Sequence, residues 1–176
     1  MNVVLIGFRG TGKSTVGRLL AKRLERNFID SDKYIESSTG KTIKCIFEEG
    51  GEESFRKIEA DTIAELSKED NKIISAGGGV VLREKNIRNL KDNGFLVLLE
   101  ATPETIHSRI EQDKITAQQR PSLTDKKPLD EIKHLLEQRE HLYEKAADYT
   151  INTSYVARED IVNEIIATIE KQSKTF

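Results

Sequence analysis

The apolar positions of this chain follow two periods that alternate along its length. Residues 3–6, Val-Val-Leu-Ile, form an unbroken apolar run, the pattern of a parallel-sheet strand covered on both faces. From Ser14 to about Leu24 the period changes, with Val16, Leu19, Leu20 and Leu24 at helical spacing. Residues 27–32 read as a second short strand that ends in two carboxylates, Asp30 and Asp32. Residues 35–47, broken by Thr39-Gly40, predict two short helices. After Gly50-Gly51 a longer helix is expected from Glu52 to about Ser67, with Phe55, Ile58, Ile63 and Leu66 over one broad face. Ile73-Ile74-Ser75-Ala76 predicts a third strand that runs into Gly77-Gly78-Gly79. A helix around 84–91 leads to a strand over 95–99, and Thr102-Pro103 then supplies a capping hydroxyl and a proline at the first helical position. Between 113 and 128 the pattern dissolves into polar residues; a helix over 129–146, a strand over 149–151 and a helix over 158–171 follow. Strands alternating with helices predict a parallel α/β fold, and no repeat or linker divides the 176 residues, which suit one domain.

Composition narrows the function classes. A charged fraction of 33% against 36% hydrophobic suits a soluble protein with long solvated helices. The formal net charge of −2 gives no electrostatic basis for a nucleic-acid or anionic-membrane partner, and neither is expected. No apolar run approaches membrane-spanning length, and the chain opens on a strand rather than a signal peptide, so the expected compartment is the cytoplasm. The single cysteine, Cys45, excludes an internal disulfide. Flanked by Ile43, Ile46 and Phe47, it is expected to be a small buried thiol. His107, His134 and His141 fall singly in predicted helices without the spacing of a metal motif, and are expected to be surface or core residues.

The strongest chemical signal lies between the first strand and the first helix. Residues 7–14, Gly-Phe-Arg-Gly-Thr-Gly-Lys-Ser, carry the P-loop spacing of Gly7, Gly12, Lys13 and Ser14. Gly7, Gly10 and Gly12 permit positive φ and close backbone approach, so successive N–H groups can turn toward a phosphate. The following helix adds the partial positive charge of its N-terminus. Lys13 supplies a mobile cation for the β- and γ-phosphates, and Ser14 offers an oxygen to Mg²⁺. The chain is therefore expected to bind a nucleoside triphosphate. Three consecutive glycines at 77–79 are entropically expensive, and they fit a backbone that passes close to a ligand. The polar stretch 113–128, with Arg120 inside it, has the length and composition of a functional loop such as a lid.

Several stretches beyond the P-loop resemble one family. Residues 7–15, Asp30-Ser31-Asp32, Phe47 with Gly51-Glu52 and Phe55-Arg56, Gly77-Gly78-Gly79, Arg120-Pro121, and Arg139 with Tyr143 and Ala147-Asp148 are similar to the motifs of shikimate kinases. That resemblance implies a P-loop three-layer sandwich, a five-stranded parallel sheet flanked by helices, with a substrate-binding region at about 31–60 and a lid at about 113–128. It implies transfer of the γ-phosphoryl of ATP to the 3-hydroxyl of shikimate by a monomer in aromatic amino-acid biosynthesis. Gly10, Thr11, Gly12, Lys13, Ser14 and Thr15 would hold ATP, with Mg²⁺ on Ser14 and, through water, on Asp30. Asp32 would orient the acceptor hydroxyl and serve as base. Arg56 and Arg139 would grip the substrate carboxylate beside Gly77, Gly78 and Gly79, and Arg120 would reach ATP and the transferring phosphoryl.

The chain departs from the family pattern at the second lid arginine, whose position is Asp113, with Arg109 and Lys114 near it. The turn Asn152-Thr153-Ser154 is placed to flank the adenine. Bidentate guanidinium recognition suits a polyhydroxylated carboxylic acid without fixing which one, so a gluconate or nucleoside monophosphate kinase is the alternative reading. A P-loop switch or motor ATPase is a further alternative. The guanine-specificity and Asp-x-x-Gly motifs of the GTPase form are missing. The ATPase form has in its favour Leu96-Val97-Leu98-Leu99-Glu100, which resembles a strand ending in a catalytic acid, and against it a chain too short for the extra domain and sensor elements.

Overall fold

Val3 and Leu5 face one side of the central sheet and Val4 and Ile6 the other, which is why the run that contains them is apolar without alternation. The computed structural model describes residues 1–112 and 127–173. Its strands are β1 (Asn2–Ile6), β2 (Asn27–Asp30), β3 (Lys72–Ser75), β4 (Gly94–Glu100) and β5 (Tyr149–Asn152). They form one parallel five-stranded sheet in the order β2-β3-β1-β4-β5, with Val4 opposite both Ile74 and Leu96. The helices are α1 (Lys13–Leu24), α2 (Ser31–Thr39), α3 (Ile43–Leu66), α4 (Glu84–Asp92), α5 (Pro103–Gln112), α6 (Pro128–Ala146) and α7 (Arg158–Ser173), with a 3₁₀ turn at Val80–Leu82.

Two apolar layers complete the sandwich. On one face Val16 and Leu20 of α1 and Ile161, Val162 and Ile165 of α7 close over Val3, Leu5 and Val97. On the other, Ile63 and Leu66 of α3, Leu90 of α4 and Tyr143 and Ala146 of α6 close over Val4, Ile6, Ile74 and Leu96. The neighbouring strands β1 and β3 thus hand the chain to opposite faces, α1 on one and α4 on the other. A crevice opens at their carboxyl ends, the place where open α/β sheets bind ligands. No helix among the described residues is long and apolar enough to cross a membrane.

Local chemistry sets the element boundaries. Thr102 caps α5 by accepting from the Thr105 N–H at 3.3 Å, with Pro103 opening the helix as expected. Gly40 ends α2 in the left-handed conformation. The two helices expected on either side of Gly50-Gly51 form one element, α3, kinked at Gly51 with φ 68° and ψ −175°.

Two expectations are corrected. Residues 27–32 are not all strand: β2 stops at Asp30, whose carboxylate accepts from the N–H groups of Asp32 and Lys33 and so caps α2. Asp32 therefore sits in the first turn of a helix rather than at a strand end. Cys45 is exposed, not buried. Ile43 and Ile46 turn into a cluster with Ile35 and Phe55, and Cys45 falls between them on the outer face of α3.

Candidate active site

The P-loop is built against its surroundings with little slack. Gly7 has φ 136°, and a Cβ there would lie 2.2 Å from the Leu99 carbonyl oxygen, so no other residue fits. Lys13 folds back over the loop and donates to the Gly7 and Phe8 carbonyls, both at 2.8 Å. Its ammonium is thereby satisfied within the loop and held, 8% exposed, beside the helix N-terminus. Thr11 secures the turn through its hydroxyl, which donates to Phe8 O at 2.8 Å.

The second group comes from β2. The Ser14 hydroxyl donates to Asp30 Oδ2 at 2.7 Å, with the Ser75 hydroxyl 3.5 Å from Ser14. One carboxylate thus does two jobs: Oδ1 caps α2 and Oδ2 holds the P-loop serine. The donors are hard oxygens, few in number, at the phosphate end of the cleft. That suits Mg²⁺, which takes one or two protein oxygens and completes its shell with water and phosphate.

The glycine loop after β3 forms the facing wall. Gly77 N–H donates to Ser31 Oγ at 3.0 Å, and Gly78 O accepts from Tyr143 OH of α6. A Cβ at Gly78 would come within 3.3 Å of the Arg9 nitrogen, so the loop packs directly on the P-loop. A Cβ at Gly79 would lie 2.3 Å from both terminal nitrogens of Arg56. Gly79→Ala is accordingly expected to displace Arg56 and raise KM for the acceptor at least tenfold, with KM for ATP nearly unchanged, in steady-state assays; a loss of about 1.4 kcal/mol corresponds to tenfold.

Two arginines on different helices are buried near this wall. Arg56 of α3, 6% exposed, donates from Nη1 to Glu59 at 2.8 Å, and from Nε and Nη2 to Glu52 at 3.2 and 3.1 Å. Burial works against its charge, but Glu59 and then Glu52 more than offset this and hold its pKa above the ordinary arginine value. Arg139 of α6 is 8% exposed, and among the described residues no hydrogen bond or ion pair reaches it. Its guanidinium stands 5.9 Å from the Phe8 ring of the P-loop. A buried guanidinium without a carboxylate is a receptor for an anion.

A cavity of about 940 Å³ opens between the P-loop, the end of β2 and the glycine loop. Of the residues named from the sequence, Gly10, Thr11, Gly12, Lys13, Ser14, Thr15, Asp30, Asp32, Gly77 and Gly78 line it. Gly79, Arg56 and Arg139 stand behind the lining rather than in it. Arg120, Asp113 and Lys114 lie outside the described residues, as does most of the expected lid; residue 128 of that stretch already begins α6.

Sequence reasoning missed several members. Arg9 pairs with the buried Glu131 at 3.5 Å across 122 positions, a contact with no local signal. Glu52 and Glu59 stand at i−4 and i+3 from Arg56, a helical spacing that would have found them. Arg109 and the turn at 152–154, by contrast, are both named from the sequence, and they meet at the cavity wall, where Arg109 donates to Thr153 O at 2.6 Å and Thr153 Oγ1 at 3.0 Å. Burial, with Arg158 adding its repulsion, depresses its pKa. This places the turn at 152–154 on the cleft.

Glu100 does not line the cavity, which removes the support for a catalytic acid at the end of β4. Burial raises its carboxyl above the ordinary 4.5, with Glu140 and Glu144 adding to the shift. A raised folded-state pKa means that the native state binds the proton more tightly, so ionising Glu100 costs stability as pH rises above 4.5. Glu100→Gln is therefore expected to leave turnover intact and to raise Tm at pH 7 by about a degree or two. The gain should vanish below the ordinary carboxyl range, which melting curves at acid and neutral pH would show.

Comparison with known proteins agrees with this geometry. The family model described as shikimate kinase matches residues 9–170. A shikimate kinase of Caldanaerobacter subterraneus subsp. tengcongensis is 45% identical over 165 residues, covering 94% of each chain. The structure of a shikimate kinase from Acinetobacter baumannii in complex with shikimate superposes with a TM-score of 0.90 at 38% identity, covering 97% of this chain and 93% of that one. A gluconokinase from Sinorhizobium meliloti shares 15% identity at a TM-score of 0.61, a likeness of fold alone.

Proposed function

Since the chain belongs to the shikimate kinase family, we propose that it transfers the γ-phosphoryl group of ATP to the 3-hydroxyl of shikimate in the cleft between β1 and β3. The observation that carries the reading is a pair of buried arginines behind the cleft that the P-loop lines, Arg56 of α3 against Gly79 and Arg139 of α6 against the Phe8 ring. The P-loop accounts for phosphate; Arg139, which meets no carboxylate among the described residues, calls for a second anion, and a carboxylate that could also reach Arg56 meets that need.

Each group then has a task. The loop from Gly10 to Thr15 cradles the phosphates, with Lys13 on the β- and γ-oxygens. Asp32 orients the acceptor hydroxyl and takes its proton as the oxygen bonds to the γ-phosphorus and ADP leaves. Arg56 and Arg139 hold the acceptor carboxylate, Gly77, Gly78 and Gly79 pack beside its ring, and residues 31–60 form the acceptor side of the fold. Ser14 and, through water, Asp30 would hold Mg²⁺. When bound, the ion neutralises charge on the β- and γ-phosphates. Arg120 would add positive charge at the transferring phosphoryl, from a lid at about 113–128. On this reading the enzyme is a cytoplasmic monomer of one domain acting on two small molecules.

The test is an acceptor panel with purified protein, ATP and Mg²⁺. Shikimate should turn over, and gluconate and nucleoside monophosphates should not; the reverse result overturns the assignment. Arg139→Ala should lower kcat/KM for shikimate by tens to thousands, the range for losing one partner of a buried charge contact, while KM for ATP changes little.

A further inference from the structure

Arg56 meets four neighbours, and only one of them can be vacated. Glu59, 1% exposed, takes Nη1 at 2.8 Å from within the helix packing. Gly79 closes the end of the fork, since a Cβ there would lie 2.3 Å from Nη1 and Nη2 alike. The Phe55 ring lies 5.2 Å from the guanidinium carbon. The remaining edge, Nε with Nη2, is the one that grips a carboxylate in two parallel hydrogen bonds, and Glu52 Oε1 occupies it at 3.2 and 3.1 Å. Glu52 differs from the other neighbours in having water to go to: its side chain is 53% exposed. It also follows Gly51, the kink of α3, where even a Cβ would meet nothing within 4 Å.

We infer that Glu52 is a specificity-determining residue, an internal carboxylate that occupies the acceptor's seat on Arg56 in the empty enzyme and is exchanged for the carboxylate of shikimate on binding. The inference rests on the reading of Arg56 as a carboxylate receptor. Glu59 keeps the charge of Arg56 paired throughout, and because one carboxylate replaces another on the Nε–Nη2 edge, those buried donors are never left without an acceptor, which would be costly. The exchange also selects. An acceptor without a carboxylate cannot take over the edge and must bind with Glu52 in place. The cost is affinity, because each shikimate must displace a half-exposed ion pair.

Calorimetric titration of the intact protein with shikimate, its methyl ester and an ATP analogue, in wild type, Glu52→Gln, Glu52→Ala and Arg56→Ala, tests this. Both Glu52 variants should bind shikimate about two- to fivefold more tightly, the range of a half-exposed ion pair, with KM for shikimate falling in parallel. Affinity for the methyl ester and for the ATP analogue should stay as in wild type. Unchanged or weaker shikimate binding in the Glu52 variants, with Arg56→Ala still losing most of its affinity, overturns the exchange and leaves the Arg56 reading standing. Wild-type shikimate affinity in Arg56→Ala overturns both.

Discussion

Asp32→Asn is expected to lower kcat by about a thousandfold or more while ATP binding survives, the span that loss of a positioned general base commands. Asp32 lies in the first turn of α2, immediately after the Asp30 cap, and it faces the cavity that the P-loop lines. Asparagine keeps the size of the side chain and its place in the turn. It removes the negative charge that accepts the hydroxyl proton. The cap belongs to Asp30 and the phosphate cradle to residues 10–15, so melting temperature and nucleotide affinity should stay close to wild type. Single-turnover phosphoryl transfer, measured beside ATP-analogue binding, separates the two. Parallel loss of binding and rate would assign Asp32 to nucleotide binding and refute its role as base.

Lys13→Met should cost about a hundred- to a thousandfold in kcat/KM for ATP, the scale at which removing one preorganised donor to a developing charge is felt. The ammonium lies 2.8 Å from Gly7 O and Phe8 O, a short swing from a phosphate bound in the loop. Phe8 O keeps the Thr11 N–H and hydroxyl as donors, so the loop retains its main internal bonds without the lysine. Methionine preserves the apolar stem. The fold and the affinity for shikimate should therefore persist while nucleotide affinity and turnover fall. Steady-state kinetics with calorimetry of both substrates gives the comparison, and turnover within tenfold of wild type would remove Lys13 from the machinery.

Much of the candidate site was legible because it is written locally. Gly7, Gly12, Lys13 and Ser14 act through spacing along one turn, and a backbone that must reach a phosphate leaves that spacing few spellings. The unbroken apolar run before them and the helical period after them place the loop at a sheet edge. Thr102 and Pro103 announce α5 by the same local logic. The motif set also named the family correctly, since its parts occur in order along nearly the whole chain.

Position between elements was less legible. Asp30 and Asp32 look alike in a short apolar–polar segment. Both line the cavity, but which of them caps α2 and which sits in its first turn depends on the exact residue at which β2 stops. Cys45 sits among apolar neighbours in sequence, yet a rotation of about 100° per residue carries it to the outer face of α3 while Ile43 and Ile46 turn in.

The amino-acid sequence by itself determined the alternation of strands and helices and the phosphate loop, because each rests on bonds between residues a few positions apart; the acids and arginines it named only through their resemblance to family motifs. The tertiary structure alone decided the rest. It brought Arg9 to Glu131, Arg109 to Thr153, Gly79 to Arg56 and Tyr143 to Gly78. Those meetings follow from the strand order β2-β3-β1-β4-β5, which sets the loops after β1 and β3 side by side and lays α3 and α6 over the same face. Periodicity says which face of an element is buried, and nothing about which element will cover it.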